Sequence, residues 1–207
     1  MPIPSWRQNL LRRGGFWKSG RWYDLHVERR MPLAIPMLEE MVVALPPLDQ
    51  GTAVCDLGCG TGNAAFAVLS AYLFVRLTLL DEDPNLLTVA SEKIGEYTRD
   101  FETIQATIRT DGEPIPGGPY DIIVASLSLH AIIGHDVEGA EAESRYELLF
   151  RGIHESLAPG GHLMVADHVG TLGLYRQMKA MELAGFTDVD CAWRQDDFFV
   201  CGGRIAE

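Results

Sequence analysis

The chain has little of what would mark a membrane, secreted or nucleic-acid-binding protein. Apolar stretches such as Ile122 to Val124 and Leu163 to Ala166 are strand-length, far short of the ~20 residues a membrane-spanning helix needs. Near the N-terminus Trp6, Arg12, Arg13 and Trp17 interrupt any apolar signal core, and no small-residue cleavage site follows one. A cytoplasmic protein with no membrane partner is therefore expected. The four cysteines, Cys55, Cys59, Cys191 and Cys201, sit in apolar or glycine-rich surroundings. Cys55 and Cys59 have C-x3-C spacing, but no histidine or second cysteine pair completes a metal set, so reduced buried thiols and no metal are expected. Cations are scarce: 17 Lys and Arg stand against 29 Asp and Glu, for a net charge of −12. Seven of those cations (Arg7, Arg12, Arg13, Lys18, Arg21, Arg29, Arg30) fall within the first 30 residues, against Asp24 and Glu28. The remaining body is a poor nucleic-acid platform, because such binding leans on neutralising phosphates. The basic head suits an anionic ligand or acidic substrate, or is a solvated arm.

What is present fits one globular domain with at most a small appendage: 47% of the residues are hydrophobic and 22% charged. No internal repeat or low-complexity tract occurs. Residues 1–20 read as turn-rich and mobile. A helical pattern starts near Arg21, Pro32 and Pro36 break it, and Met37 to Ala44 forms a helix ended by Pro46-Pro47. From there strands and helices alternate. Strands are expected at 52–58, 76–81, 103–110, 120–127 and 162–169. Helices are expected at 63–73, 84–101, 144–157 and 172–185. Val189 to Arg194 and Phe198 to Gly202 read as a closing hairpin across the turn "QDD". This order implies an α/β fold, a doubly wound, mostly parallel seven-stranded Rossmann-like sheet between helical layers, with a C-terminal antiparallel hairpin. The division expected is an N-terminal helical lid or substrate segment, residues 1–45, and a main domain over residues 46–207.

In open sheets of this kind ligands bind beyond the carboxyl ends of the strands, where the strand order reverses. At the end of the first strand stands "CDLGCGTGN", with Gly58, Gly60 and Gly62 in quick alternation. A dinucleotide loop reads G-x-G-x-x-G. Here the third glycine arrives one residue early, which makes the loop alone a weak signal. Asp81, ending the second strand, is placed as a ribose-binding carboxylate would be. Asp56 would repel a pyrophosphate and suits a ligand with a cation there. Separately, Asp56 could cap the following helix and Asp111 could be an ordinary turn residue.

The whole set resembles the class I S-adenosylmethionine-dependent methyltransferases. The segments that carry the resemblance are "VCDLGCGTGN", "LLDEDPNLL", "RTDGEPIP", "YDIIVASLSLH", "LAPGGHLMVADH" and "AGFTDV", in the family's order. The resemblance implies S-adenosylmethionine as cofactor and S-adenosylhomocysteine as product. It implies that Gly58, Gly60 and Gly62 let backbone approach the methionine portion, with Asp56 reaching its ammonium through water. Asp81 would hold the ribose hydroxyls, and Asp111 with the Gly112 backbone would read the adenine amino edge. Ala125, taken as the first residue past the fourth strand, would offer its carbonyl to the ammonium. Where the family usually has an apolar residue against adenine, this chain has Glu82, which is given no role. The resemblance also suggests that the N-terminal segment folds over the ligand, with Tyr23 touching the methionine end.

Methyl transfer needs a general base only where the acceptor must lose a proton. Candidates at the strand ends are His130, after the fourth strand, and Asp167 with His168, after the fifth. The competing readings are a histidine hydrogen-bonded within a helix start for His130 and a cap on the next helix for Asp167. His154, inside a helix, reads as structural. The acidic stretch "AIIGHDVEGAEAES", residues 131–144, reads as a loop or ragged helix that would favour a cationic acceptor or form a solvated face. A small-molecule acceptor is the leading expectation. The alternatives are an RNA (tRNA) methyltransferase, a non-catalytic S-adenosylmethionine-binding protein and an NAD-dependent oxidoreductase. The last lacks both the glycine spacing and a Tyr-x3-Lys pair beside the pocket.

Overall fold

A computed structural model describes residues 20–206. The turn-rich segment read at 1–20 therefore lies outside the described residues, except for Gly20, which opens the first helix. Two helices come first, α1 (Gly20–Arg30) and α2 (Ala34–Ala44). Pro32 separates them, because proline can neither donate to nor continue a helix interior. Pro36, expected to break the pattern as well, is accommodated in the first turn of α2, where an N–H has no intrahelical acceptor to lose.

The alternation then runs β1 (Ala53–Leu57), α3 (Asn63–Ala71), β2 (Arg76–Asp81), α4 (Pro84–Gly95) and β3 (Phe101–Gln105). It continues with β4 (Tyr120–Ser126), the short α5 (Leu129–Ile133), α6 (Gly139–Glu155), β5 (Leu157–His168), α7 (Leu174–Leu183), β6 (Thr187–Gln195) and β7 (Phe198–Arg204). Several boundaries differ from the sequence expectation: α4 ends at Gly95, not 101, and β5 begins at Leu157, not 162. The third strand lies at 101–105, not 103–110. Its partner β2 runs from Arg76 to Asp81 and the ladder ends on the pair Asp81–Gln105, so Ala106 to Thr110 have no strand to pair with. The acidic stretch at 131–144 comprises the end of α5, a loop over residues 134–138 and the regular start of α6 at Gly139. Two of its four carboxylates are paired, Glu141 with Arg145 at 2.7 Å and Glu143 with Arg176 at 2.9 Å, while Asp136 and Glu138 stand exposed in the loop.

The seven strands lie in the order β3-β2-β1-β4-β5-β7-β6. All neighbours are parallel except β7, which is antiparallel to both β5 and β6. The expected hairpin thus inserts its second strand between β5 and β6. Adjacent residues of the central strands feed opposite cores. Cys55, Ile123, Leu163 and Phe199 pack with α5, α6 and α7. Val54, Ile122, Met164 and Phe198 pack with α1 to α4, where Met37 and Met41 are fully buried. Burial on both faces explains why these strands read as continuous apolar runs. Among the described residues, no helix is long and apolar enough to cross a membrane.

The order reverses between β1 and β4, so the loop after β1 emerges at the crevice where the two strands part. Gly58 is required there on two counts. Its φ of +67° is left-handed, and a Cβ would lie 2.7 Å from the Ser128 Cβ. We expect Gly58→Ala to cost roughly 2–4 kcal/mol, from left-handed strain and overpacking together. Urea unfolding of the variant beside the parent chain checks this.

Candidate active site

The site begins with a carboxylate out of reach of water. Asp56, in β1, is 1% exposed. Its Oδ2 accepts the Ala65 N–H at 2.9 Å, at the start of α3. Gly62 occupies the cap position of that helix and has no side chain with which to satisfy its first N–H groups, so a strand residue supplies the acceptor instead. The capping reading of Asp56 is thus what the structure displays. Burial pushes its carboxyl up from the usual 3.8 to about 7, with the Ala65 hydrogen bond pulling the other way and Asp81 adding to the rise.

Asp81 closes β2. Its Oδ2 accepts the Gly60 N–H at 2.8 Å and its Oδ1 the Asp83 N–H at 2.9 Å. The carboxylate is thereby oriented at the strand tip, against the glycine loop. Gly60 itself has φ +53°, and a Cβ there would meet nothing within 4 Å, so the loop faces open space at this point. Glu82 is exposed. Asp83 caps α4 by accepting the Asn85 N–H at 2.8 Å.

Two expected site residues sit differently. Ala125 is inside β4, fully buried and paired with Val165, rather than past the strand end. It does lie beyond the last β1–β4 pair, Asp56 with Val124, because β4 continues along β5 after β1 has turned away. Asp111 is exposed, and its Oδ1 accepts the Glu113 N–H of its own turn at 3.2 Å. Gly112 beside it faces Leu148 and Arg151 of α6. This pair is therefore not tied to the Asp56–Asp81 group by the hydrogen bonds that orient it. Ser128, which the sequence reading passed over, bridges the crevice by donating to the Leu57 carbonyl at 2.8 Å.

Helix α1 docks on the glycine loop through Asp24. The Thr61 hydroxyl donates to Asp24 Oδ1 at 2.6 Å and the Asn63 amide at 3.1 Å, while Lys93 Nζ stands 2.8 Å from Oδ2. Lys93 also donates to Asn63 Oδ1 at 2.6 Å, which closes the network. Arg21 pairs with Glu92 on the same flank. Tyr23 follows the same docking. Its phenol is raised above the usual range, by burial first and then by the charges of Asp24 and Asp167. The influence of Asp167 puts Tyr23 within electrostatic reach of the fifth strand's end. Nothing in the sequence spacing links Asp24 to Lys93, so this network was not found from it.

At that end lies a hydrogen-bonded dyad. His130 Nδ1 is 2.7 Å from Asp167 Oδ1. Asp167 also accepts the His130 N–H at 3.2 Å and the His168 N–H at 2.8 Å. It therefore caps α5, not the helix after its own strand as the competing reading had it, because β4 and β5 are neighbours and end side by side. Burial alone would raise the Asp167 carboxyl, but the His130 imidazole and its hydrogen bond, with help from His168, hold it below the usual range. An ionised Asp167 can only accept, so His130 Nδ1 carries the proton and Nε2 is the basic nitrogen of the neutral ring. The His168 ring lies 4.0 Å from that of His130, centroid to centroid. His154 stands apart, edge-on to Phe186.

His130, Asp167 and His168 form the one donor group among the described residues that could hold a metal ion, with ligand atoms within 4.8 Å of one another. Within this group His130 Nδ1 and Asp167 Oδ1 are hydrogen-bonded to each other at 2.7 Å.

With this geometry in place, comparison with known proteins is informative. A family model described as a methyltransferase domain matches residues 55–163, more than half of the chain. A trans-aconitate 2-methyltransferase of Streptomyces avermitilis is 30% identical over 129 residues, 60% of this chain and 42% of that protein. A ribosomal RNA small subunit methyltransferase C of Pseudomonas aeruginosa is 31% identical over 162 residues, 68% of this chain and 45% of that one. The chain thus spans less than half the length of these curated relatives. The crystal structure of the S-adenosylmethionine-dependent methyltransferase SibL, in its apo form, superposes with a TM-score of 0.66 at 22% identity. It covers 90% of this chain and 59% of SibL, and at that identity speaks for the fold.

The raised Asp56 carboxyl has a measurable signature. Below pH 3.8 it is protonated in both folded and unfolded chains. As pH rises from there to about 7 the unfolded chain releases the proton first, so the folded state loses stability across that window. Asp56→Asn keeps an acceptor for Ala65 and cannot ionise. Its stability relative to the parent should therefore rise between pH 4 and pH 8, by at most about 4 kcal/mol at ~1.4 kcal/mol per pH unit. Denaturant unfolding at several pH values measures this.

Proposed function

This chain belongs to the methyltransferase-domain family, and on that premise we propose that it moves the methyl group of S-adenosylmethionine to a hydroxyl of a small-molecule acceptor. The observation that carries the reading is the His130–Asp167 dyad at 2.7 Å, beside the crevice where β1 and β4 part.

The residues present fit the cofactor. The open space at Gly60, the oriented carboxylate of Asp81 and the buried carboxylate of Asp56 make a cradle for a ligand with ribose hydroxyls and cationic groups. Gly58, Gly60 and Gly62 would carry the backbone that borders it. Asp81 accepts from ribose hydroxyls with lone pairs its two backbone bonds leave over, and Asp56 balances the ammonium. The Ala125 carbonyl adds a second acceptor there, and Asp111 with the Gly112 backbone reads the adenine edge. Helix α1, held by Asp24, acts as a lid, with Tyr23 beneath it. In this reading residues 1–45 serve the acceptor and the lid, and residues 46–207 the cofactor.

When bound, the cofactor supplies a methyl carbon on a positively charged sulfur, which an acceptor oxygen takes as the carbon–sulfur bond breaks to leave a neutral thioether. His130 receives the hydroxyl proton at Nε2. Asp167 holds the ring's tautomer and offsets the charge the ring gains. His168 packs against His130 and limits the ring's freedom to turn.

A second reading has support in the Streptomyces relative, whose name gives trans-aconitate, a carboxylic acid, as substrate. Methylation of a carboxylate needs no base, and the dyad would then only hold α5. RNA is disfavoured by the acidity of the chain, whose net charge is −12.

Thermal unfolding with S-adenosylhomocysteine, S-adenosylmethionine and NAD tests the cofactor. At ~100 times the dissociation constant binding adds about 2.7 kcal/mol, which raises the midpoint by roughly 5–10 °C for a domain of this size. Both adenosyl ligands should give that shift and NAD none, and Asp81→Ala should remove it. A shift with NAD alone would overturn the reading. Once an acceptor is found, His130→Ala should lower kcat by about 10²–10⁴ and leave S-adenosylhomocysteine affinity as it was. Unchanged kcat would move the carboxylate reading to the front.

A further inference from the structure

The dyad of His130 and Asp167 has a third member within reach. His168 follows Asp167 at the end of β5, and one donor atom from each of the three residues lies within 4.8 Å of the others. The sequence expectation of no metal concerns the spacing of Cys55 and Cys59. This set is assembled by strand order instead, because β4 and β5 are neighbours and bring together residues 37 positions apart.

The three side chains are arranged by the fold itself. Asp167 is 1% exposed and His168 5%. The backbone N–H groups of His130 and His168 both donate to the Asp167 carboxylate, at 3.2 and 2.8 Å. The two imidazole rings lie 4.0 Å apart, centroid to centroid, and are tilted by 40°. Two imidazoles and a carboxylate suit a divalent transition ion such as zinc, whereas magnesium and calcium prefer ligand sets made of oxygen. Zinc holds these ligands at about 2.0–2.2 Å, which sets them roughly 3–3.4 Å from one another. His130 Nδ1 and Asp167 Oδ1, now at 2.7 Å, need to part only slightly. The widest pair, at no more than 4.8 Å, has to close by about 1.5 Å, which a turn of one ring supplies.

Access lies on the His130 side, whose side chain is 13% exposed against 2% for Asp167. His135, exposed in the loop over residues 134–138, has its ring 5.8 Å from that of His130, centroid to centroid. It gives an ion arriving from solvent a first contact and offers a fourth donor, the number zinc prefers. We propose that His130, Asp167 and His168 bind a divalent transition ion of the zinc type, set where His130 and Asp167 now share a proton. With the ion on Nδ1, the neutral His130 ring carries its proton at Nε2 and has no lone pair there for an acceptor hydroxyl. Ion binding and proton acceptance by the dyad therefore exclude each other, and the ion inhibits methyl transfer. The inhibition rests on the methyl-transfer reading, while the binding rests on the three side chains alone.

Zinc chloride and magnesium chloride are titrated calorimetrically into the full, untagged chain, with and without saturating S-adenosylhomocysteine. Zinc should bind at one ion per chain and magnesium should not bind. His168→Ala and Asp167→Asn should each weaken zinc tenfold or more, with folding checked by circular dichroism. Cys191→Ser, which alters the one thiol that is not buried, should leave zinc affinity within twofold. Cobalt bound to the parent chain reports the donors without any variant, and should show the visible bands of nitrogen and oxygen ligands with no sulfur-to-metal band. Absence of zinc binding overturns the proposal, as does magnesium binding as tight as that of zinc. Unchanged zinc affinity in a folded His168→Ala chain also overturns it, and so does a sulfur band in the cobalt form. Once an acceptor is found, saturating zinc should lower kcat at least tenfold and EDTA should restore it; unchanged or raised turnover overturns the inhibition. A parent chain that binds zinc but not S-adenosylhomocysteine keeps the metal site and removes the methyl-transfer reading.

Discussion

A carboxylate taken fully out of water, at the tip of the first strand, is the constraint around which this molecule is arranged. Asp56 cannot be hydrated where it sits, so its charge must be met by protein groups or not formed at all. The group that meets it is the Ala65 N–H of α3. For strand residue and helix start to come together, the chain between them must reverse in a few residues. Gly58, Gly60 and Gly62 make that possible, all three with left-handed backbone. The open crevice at the switch point is thus the geometrical result of a strand capping the helix that follows it.

The neighbouring elements are fixed by the same corner. Asp81 reaches across from β2 to the Gly60 N–H. Ser128 reaches from the β4 exit to the Leu57 carbonyl, and its Cβ occupies the space a Gly58 side chain would need. Helix α1 comes down on Thr61 and Asn63 through Asp24, with Lys93 of α4 supplying the opposite charge. Partly buried as it is, that network is favoured over its separated parts because each polar group has a partner. A helix from the N-terminal segment is thereby bound to the rim of the crevice by groups that belong to the crevice.

The two sides of the crevice differ in electrostatic character. On the β1–β2 side stand carboxylates, Asp56 and Asp81, which suit cationic and hydroxyl groups. On the β4–β5 side an Asp167 carboxylate held below its usual range keeps the His130 ring in place at 2.7 Å.

Much of this was legible in the sequence because it depends on local rules. Strand and helix alternation, the two-sided burial of the strands and the glycine-rich turn follow from residue periodicity and backbone freedom. The placing of Asp81 at a strand end follows from the same reading. The inserted hairpin was legible too, since its short polar turn leaves no other connection. The residues that mattered without being legible are those whose partners lie far along the chain. Asp24 finds Lys93 across 69 positions, Asp167 caps α5 rather than its own following helix, and Ser128 packs on Gly58. Ala125 was placed past a strand end by the family resemblance, although the strand read at 120–127 already contained it, and β4 does run through it. β4 has left β1 at that point but still runs along β5. The third strand was drawn too late, its end being set by the length of β2. By itself the sequence determined the elements, their order and the corner where a ligand could sit, since each depends on residues close together in the chain. Only the tertiary structure decided which carboxylate caps which helix, which histidine is held and which flank of α1 docks on the glycine loop. Those depend on strand order and helix docking, which bring together groups that no local spacing connects.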